Sequence, residues 1–367
     1  MKIIDAQAIP IHIPLKKPFT IALGTLTHTN HVLVRMVDDE GRTGWCETTT
    51  FHSVYGYDQK SLYHVLTDYL LPAIKGLDPS HTVKLHERLE LAIPFNWMAK
   101  TAVDLAAYDL TAQAAGVPIH QMIGGSRVDR IPLVGVVDIV SPAKARTMAK
   151  GLVAQGHRVI KVKTGLDPAE DLRRVEAIRK SVDDGIKIRI DCNQGYNRAE
   201  ALSVLPRMEP LGLEWIEQPL PYGDLEGLAL LAERLDTPIA VDESVYTPED
   251  ACHAIRLKAA DIVNIKVTKC GGIYRSQKIA AACASAAVPC YVGGCIETTP
   301  GVAASLHFYT ATANIISAAE LSGHSAYTDD VIVHPLEFKE GCLKVPDGPG
   351  LGVAIDEEKV ARYRVDY

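Results

Sequence analysis

Residues 159–191 read VIKVKTGLDPAEDLRRVEAIRKSVDDGIKIRID. The stretch opens on a short apolar run, Val159–Lys163, and closes on another, Ile186–Asp191. Between them Pro168–Lys180 carries apolar residues at helical spacing. Strand, helix and strand in immediate succession form the unit of a parallel sheet, and both runs are too apolar to leave a face in water. The same alternation continues outward. One run precedes it, Ile131–Val137, and five follow: Leu213–Glu217, Ile239–Asp242, Ile262–Lys266, Pro289–Gly293 and Ile315–Glu320. Amphipathic stretches such as Tyr274–Ala287 lie between them. Eight runs separated by helices predict an α/β fold, a (β/α)8 barrel of the TIM type. A doubly wound open sheet is the alternative, but it brings a glycine-rich phosphate turn after its first strand, and none is present. The later glycine-rich run Asp347–Gly352 has no helix after it and reads as a turn.

The first 125 residues follow a different pattern. Asn30–Met36 and Gly44–Glu47 flank the turn Asp38-Asp39-Glu40-Gly41 and predict an antiparallel hairpin. Asp58–Ile74 and Met98–Ala115 are spaced as helices. The expected organisation is an α+β module over residues 1–125, the barrel over 126–325, and a segment over 326–367 that packs back on the first module.

Composition narrows the function. The chain has 367 residues, 47% of them hydrophobic and 23% charged, enough to bury a large core. Its net charge of −7 argues against a nucleic-acid partner, which needs a basic face. No apolar stretch approaches the roughly 20 residues of a membrane span, and the N-terminus, MKIIDAQAIPIHIPLKKPF, alternates like a strand and lacks the apolar centre of a signal peptide. The eight cysteines form no C-x-x-C pair and read as reduced thiols. A cytoplasmic protein is the expectation.

The chemistry lies in the residues that close the runs. Lys163, Asp191, Glu217, Asp242 and Lys266 end five successive runs, at spacings of 28, 26, 25 and 24 residues. In a barrel those ends meet at one mouth, where barrel active sites lie. Three carboxylates facing one point, with no His or Cys, favour Mg²⁺ over zinc. The alternative is a network in which the acids are simply paired with Lys163 and Lys266, but three acids against two lysines leave it unbalanced. The two lysines stand four strands apart in a ring of eight and approach from opposite sides. Removing the proton beside a carboxylate makes an enediolate, and a divalent cation offsets its charge. A lysine serves as the base if its pKa falls, with Lys161 and Lys269 as the neighbouring cations. Bases on both faces make a racemase or an epimerase.

Several segments carry a resemblance. Lys161-Val162-Lys163, Asp191-Cys192-Asn193, Trp215-Ile216-Glu217-Gln218-Pro219, Asp242-Glu243-Ser244, Asn264-Ile265-Lys266 and Lys269-Cys270-Gly271-Gly272, in this order, resemble the enolase superfamily and its muconate-lactonising subgroup. Lysine bases with Mg²⁺ are typical of that superfamily. The resemblance covers essentially the whole chain. It implies a modified barrel with an N-terminal capping domain, Asp191, Glu217 and Asp242 as ligands of Mg²⁺ (with Mn²⁺ as a substitute), and Lys163 and Lys266 as the acid/base pair. It also implies that Lys161 sits beside a substrate carboxylate and that Asn193 lines or supports the site. The loops around Pro18–Thr29 and Thr50–Tyr57 would close over the mouth, with Phe19, Ile21, Phe51 and Tyr55 either lining the pocket or belonging to the core. By analogy with the family the chain forms homo-oligomers.

Within that subgroup three reactions compete: racemisation or epimerisation of an N-acyl (N-succinyl) amino acid or dipeptide, muconate cycloisomerisation, and o-succinylbenzoate synthesis. A catalytically inactive binding protein is the remote alternative, and retention of all five site residues argues against it. Gly293–Thr298, with Glu297, is similar to N-acyl amino acid racemases. Ala319-Glu320-Leu321-Ser322-Gly323 resembles both racemases and cycloisomerases and lacks the Asp-x-Asp pair typical of dipeptide epimerases. Glu297 and Glu320 are therefore placed with the substrate, and Glu320 alone could bind a cation. His28, His31, His52 and His324 read as solvated loop histidines.

Overall fold

The structure is a computed structural model that describes residues 1–367, the side chain of His324 excepted. Three antiparallel strands, β1 (Ile3–Ile21), β2 (Gly24–Asp38) and β3 (Thr43–Thr50), form the first sheet in that order. The β2–β3 hairpin is longer than the alternation suggested. Its turn is fastened by Asp38 Oδ1, which accepts from the backbone N–H of Glu40 (3.0 Å) and of Arg42 (2.9 Å). The pairing of β1 with β2 slips between Pro14 and Phe19, and beyond the slip the hairpin runs out to Ile21 and Gly24.

The helix expected over Asp58–Ile74 is present, but Leu66–Leu70 winds as a π-turn in which Leu71 N bonds to Leu66 O. Pro72, which has no N–H to give the preceding turn, follows directly. The helix Trp97–Ala115 is covered on both sides, and Met98 to Ala112, its few polar residues included, are all buried. It fastens three parts of the molecule. Asp109 accepts from Trp45 N of β3 (2.8 Å) and from Leu351 N of the C-terminal segment (2.7 Å). Asp104 accepts from Ile273 N (2.6 Å), and Thr101 Oγ1 donates to Thr268 O (2.7 Å), both beyond the sixth barrel strand.

Short strands build the barrel. After β4 (Arg130–Pro132), the strands β5 (Val134–Val137), β6 (Val159–Lys163), β7 (Lys187–Asp191), β8 (Leu213–Glu217), β9 (Ile239–Val241), β10 (Ile262–Ile265) and β11 (Cys290–Val292) pair in sequence as a parallel sheet. The eighth run, Ile315–Glu320, closes the ring by single bonds: Ile316 N and Glu320 N donate to β11 carbonyls, and Val134 N donates to Ala319 O. The first run proves to be two strands. Pro132, with no N–H, marks the change of partner. Residues before it pair with β13 (Cys342–Lys344), which pairs in turn with β12 (Phe338–Lys339), while Val134–Val137 enters the barrel. The last segment reaches the first sheet as well, through Val365 N to Pro10 O (2.9 Å) and a bridge from Tyr327 to Leu15.

Beneath the mouth the barrel is filled. Arg189 is fully buried against the Trp215 ring (3.5 Å from its centroid), donates to Ala318 O (3.1 Å) and pairs with Glu214 (2.6 Å). Among the described residues no helix is long and apolar enough to cross a membrane, and the eight cysteines form no disulfide.

His307, fully buried, meets His120 across the junction (Nδ1 to Nδ1, 3.0 Å) and reaches Leu351 O through Nε2 (3.0 Å). Burial holds its pKa down at about 4, despite the Leu351 carbonyl and with help from His120. The unfolded chain, with an ordinary histidine near 6.5, therefore binds the proton first as pH falls. The stability His307 allows is intact above pH ~6.5 and is lost towards pH ~4. Urea denaturation of the wild type should show about 2 kcal/mol more loss between pH 7 and pH 5 than His307→Asn shows. Equal losses would remove His307 as the cause.

Candidate active site

The barrel strands bring Lys163, Asp191, Glu217, Asp242 and Lys266 together at one end, all of them buried. Asp242 and Lys266 were expected to end their strands and instead stand one residue past β9 and β10. Asp242 N donates to the Gln218 side chain (Oε1, 2.9 Å), and the Lys266 carbonyl accepts from Lys269 N and Cys270 N to start a turn. Three residues at these ends, Asn193 (φ 40°), Gln194 (φ 66°) and Gln218 (φ 35°), are held in the left-handed region. Backbone strain of this kind persists where the surroundings impose it, and it clusters at working sites.

The charges interlock. Lys163 Nζ lies 2.6 Å from Asp191, and Lys266 Nζ lies 2.6 Å from Asp242. Lys161 Nζ contacts Asp191 (2.9 Å), Glu217 (2.8 Å) and Glu320 (2.5 Å). Burial opposes its ammonium, but those three acids outweigh burial and hold its pKa above the lysine range. Burial likewise opposes Asp191, yet Lys161 and Lys163 pull it down to about 2. Burial and the neighbouring Asp191 push Glu217 up to about 7, against Lys161. Asp242 is held below its usual range by Lys266 and Lys269 against burial.

Whether a cation fits follows from these contacts. One ammonium bridging Asp191 and Glu217 shows that the two carboxylates converge. Glu217 Oε2 faces the Lys161 ammonium at 2.8 Å, and the Asp242 oxygens face those of Lys266 and Lys269 at 2.6 and 3.0 Å. Among the described residues no ready-made metal cluster exists, because the lysines stand between the acids. Converging carboxylates that offer hard oxygen donors, one of them raised by burial and by its acidic neighbours, suit a divalent cation. Asp191, Glu217 and Asp242 are the residues that would hold it.

Sequence reasoning named Lys269 as a neighbouring cation and Asn193 as a supporting residue but missed that Asn264 and Glu243 help to aim this set. Asn264 Nδ2 donates to Glu217 Oε1 (3.0 Å), and a Cβ on Gly293 would come within 2.5 Å of the Asn264 amide. Lys269 Nζ donates to the carbonyls of Asp242 and Val245. Glu243 accepts from Asn193 Nδ2 (3.0 Å), and burial with Asp242 and Asp191 raises it to about 8. A polar residue inside an apolar run, as Asn264 is, was the available signal.

A small cavity of about 30 Å³ lies above, lined by Phe19, Ile21, Phe51, Val54, Tyr55, Lys163, Asn193, Lys266, Gly294, Cys295, Ile296, Glu320 and Ser322. Phe19, Ile21, Phe51 and Tyr55 thus face it, whereas Lys161 lies beneath. Glu297 does not line it. Its carboxylate is buried, accepting from Thr268 Oγ1 and Cys295 N (both 2.8 Å). The cavity holds little more than water, so an organic substrate enters only if the cap tips move. The barrel's outer face has a larger open groove of about 370 Å³, lined largely by alanines with no titratable side chain. His28 and His52 are exposed, but His31 is fully buried, with Nδ1 2.7 Å from Glu47. It belongs to the cap sheet's packing rather than to a solvated loop; the His324 side chain lies outside the described residues.

Comparison with known proteins agrees with this geometry. Residues 3–124 match the mandelate racemase / muconate lactonizing enzyme N-terminal domain, and residues 144–359 match the enolase C-terminal domain-like family. The N-succinyl-L-Arg/Lys racemase of Bacillus cereus is 33% identical over 100% of this chain and 98% of its own. Its crystal structure superposes with a TM-score of 0.97, at 32% identity over 100% of this chain and 99% of that one. Muconate cycloisomerase 1 of Rhodococcus opacus is 31% identical over 98% of each chain. A dipeptide epimerase of Enterococcus faecalis V583, complexed with Mg and the dipeptide L-Leu-L-Tyr, has a TM-score of 0.93 and 31% identity over 96% of this chain and 100% of that one. The chain belongs to the enolase superfamily, in its mandelate racemase / muconate lactonizing enzyme group, and is an isomerase.

Proposed function

We propose that the protein racemises an N-acyl amino acid, N-succinyl compounds among them, by moving the proton beside the carboxylate between Lys163 and Lys266, with Mg²⁺ at Asp191, Glu217 and Asp242. The observation that carries this reading is the pair of lysines at opposed strand ends, each ion-paired to a different acid, with the cavity between them. The bound cation would supply positive charge to offset the charge that builds on the substrate carboxylate as its α-proton leaves. Each lysine is buried; Asp242, with Tyr55 and Cys295, holds Lys266 above the lysine range against burial, and a cation held by Asp242 would offset the largest of those raising influences. Asn264 and Lys269 keep Glu217 and Asp242 aimed, and the cap excludes water.

The substrate class follows from what the walls lack. Glu320 is engaged by Lys161 (2.5 Å) and Lys163 (3.7 Å), so it offers no free carboxylate to a substrate ammonium. Phe19, Ile21, Phe51 and Val54 make the cap side apolar, and Ile296 from the loop after β11 extends that wall. A blocked, uncharged amine with an apolar side chain suits such walls better than a free dipeptide amine. In D₂O with Mg²⁺, the protein is expected to place deuterium at Cα of an N-acyl amino acid and to interconvert its enantiomers. Lactonisation of cis,cis-muconate with no exchange from any N-acyl amino acid would overturn this in favour of a cycloisomerase.

A further inference from the structure

The two lysines receive different company from the cap. Tyr55 hangs from the tip between β3 and the first long cap helix, and Lys266 Nζ donates to its Oη at 3.1 Å. Cys295 Sγ, from the loop after β11, donates to the same oxygen at 3.3 Å. Among the described residues Lys163 meets no hydroxyl. The Phe19 ring, from the β1–β2 tip, lies 6.0 Å from its Nζ. The ion pairs are the part of this arrangement that the two lysines share, since each leans on one acid at 2.6 Å. The hydrogen bond from the cap is what distinguishes them.

We propose that Tyr55 is a face-selective positioning residue: its hydroxyl, carried in by the cap tip, fixes Lys266 and leaves Lys163 untouched. The inference rests on the reading that the two lysines work on opposite faces of one substrate. One half of the proton traffic then depends on cap closure through a hydrogen bond, and the other half only through packing. A hydroxyl that merely helped to seal the cavity would influence both lysines alike.

Two measurements on the full chain with Mg²⁺ separate these cases. In the first, acetic anhydride at low dose labels lysines, and peptide mass spectrometry reads the rates at Lys163 and Lys266. Tyr55→Phe should raise labelling of Lys266 about fivefold, within what one lost hydrogen bond allows, and leave Lys163 within about twofold. Parallel rises at both lysines, as from a loosened lid, or no rise at Lys266, would overturn the proposal. In the second, α-deuterium exchange from each enantiomer of an N-acyl amino acid is followed in Tyr55→Phe. Exchange from the enantiomer that Lys266→Ala abolishes should fall about tenfold in kcat, and the other should hold. Equal falls would again overturn it. Wild-type protein that exchanges no N-acyl amino acid would count against the proposed reaction, and the labelling rates would still decide the role of Tyr55.

Discussion

Lys163→Ala is expected to abolish deuterium exchange from one enantiomer of the substrate and Lys266→Ala from the other, each by about a thousandfold, while racemisation disappears in both. The expectation follows from placement. Each lysine stands on its own side of the cavity and serves one face, so the surviving base still takes its proton and returns a deuteron to the same face. The folds should hold, because neither substitution strands an acid. Asp191 keeps Lys161 at 2.9 Å when Lys163 is lost, and Asp242 keeps Lys269 at 3.0 Å when Lys266 is lost. Full exchange from both enantiomers in both variants would refute the assignment of bases. Loss from both enantiomers in one variant, with exchange kept in the other, would point to a single-base reaction.

Glu217→Gln should remove activity by a factor of about a thousand or more and remove the response to the metal with it. Glu217 is the ligand candidate with the poorest compensation: burial and Asp191 push its pKa up to about 7 against the Lys161 ammonium. Glutamine keeps the shape and the bond from Asn264 but brings no negative charge. In the wild type, Mg²⁺ at a hundred times its dissociation constant should raise Tm by about 3 °C, since the cation binds only the folded chain. The variant should show no rise. A variant that stays active, or that gains the same stability from Mg²⁺, would remove Glu217 from the ligand set.

Much of the site was legible because barrel chemistry is periodic in sequence. One ionisable residue at the end of each of five runs needs no tertiary knowledge to be noticed, and the parallel order follows from apolar runs alternating with helices. What could not be read is whatever depends on direction. Lys161 and Lys163 are two residues apart and differ only in depth, yet one bridges three acids beneath the cavity and the other faces into it. Glu297 and Glu320 both follow barrel runs, but Glu297 turns away to Thr268 Oγ1 and Cys295 N. His31 lies inside a strand whose register alone decides that it is buried. The division of the first run at Pro132 depends on β13, a partner more than two hundred residues further along the chain.

The helix Trp97–Ala115 has a consequence for how this scaffold could diversify. Because it is bonded at once to the cap sheet, the barrel and the C-terminal segment, the body of the cap is not a movable piece, and changes there threaten the whole fold. The β1–β2 tip beyond the slip at Pro14, and the tip that carries Phe51 and Tyr55, lie outside that bonding. Grafting those two tips from a relative, with Tyr55 retained, should therefore retune substrate choice while leaving the proton-transfer machinery of the barrel intact.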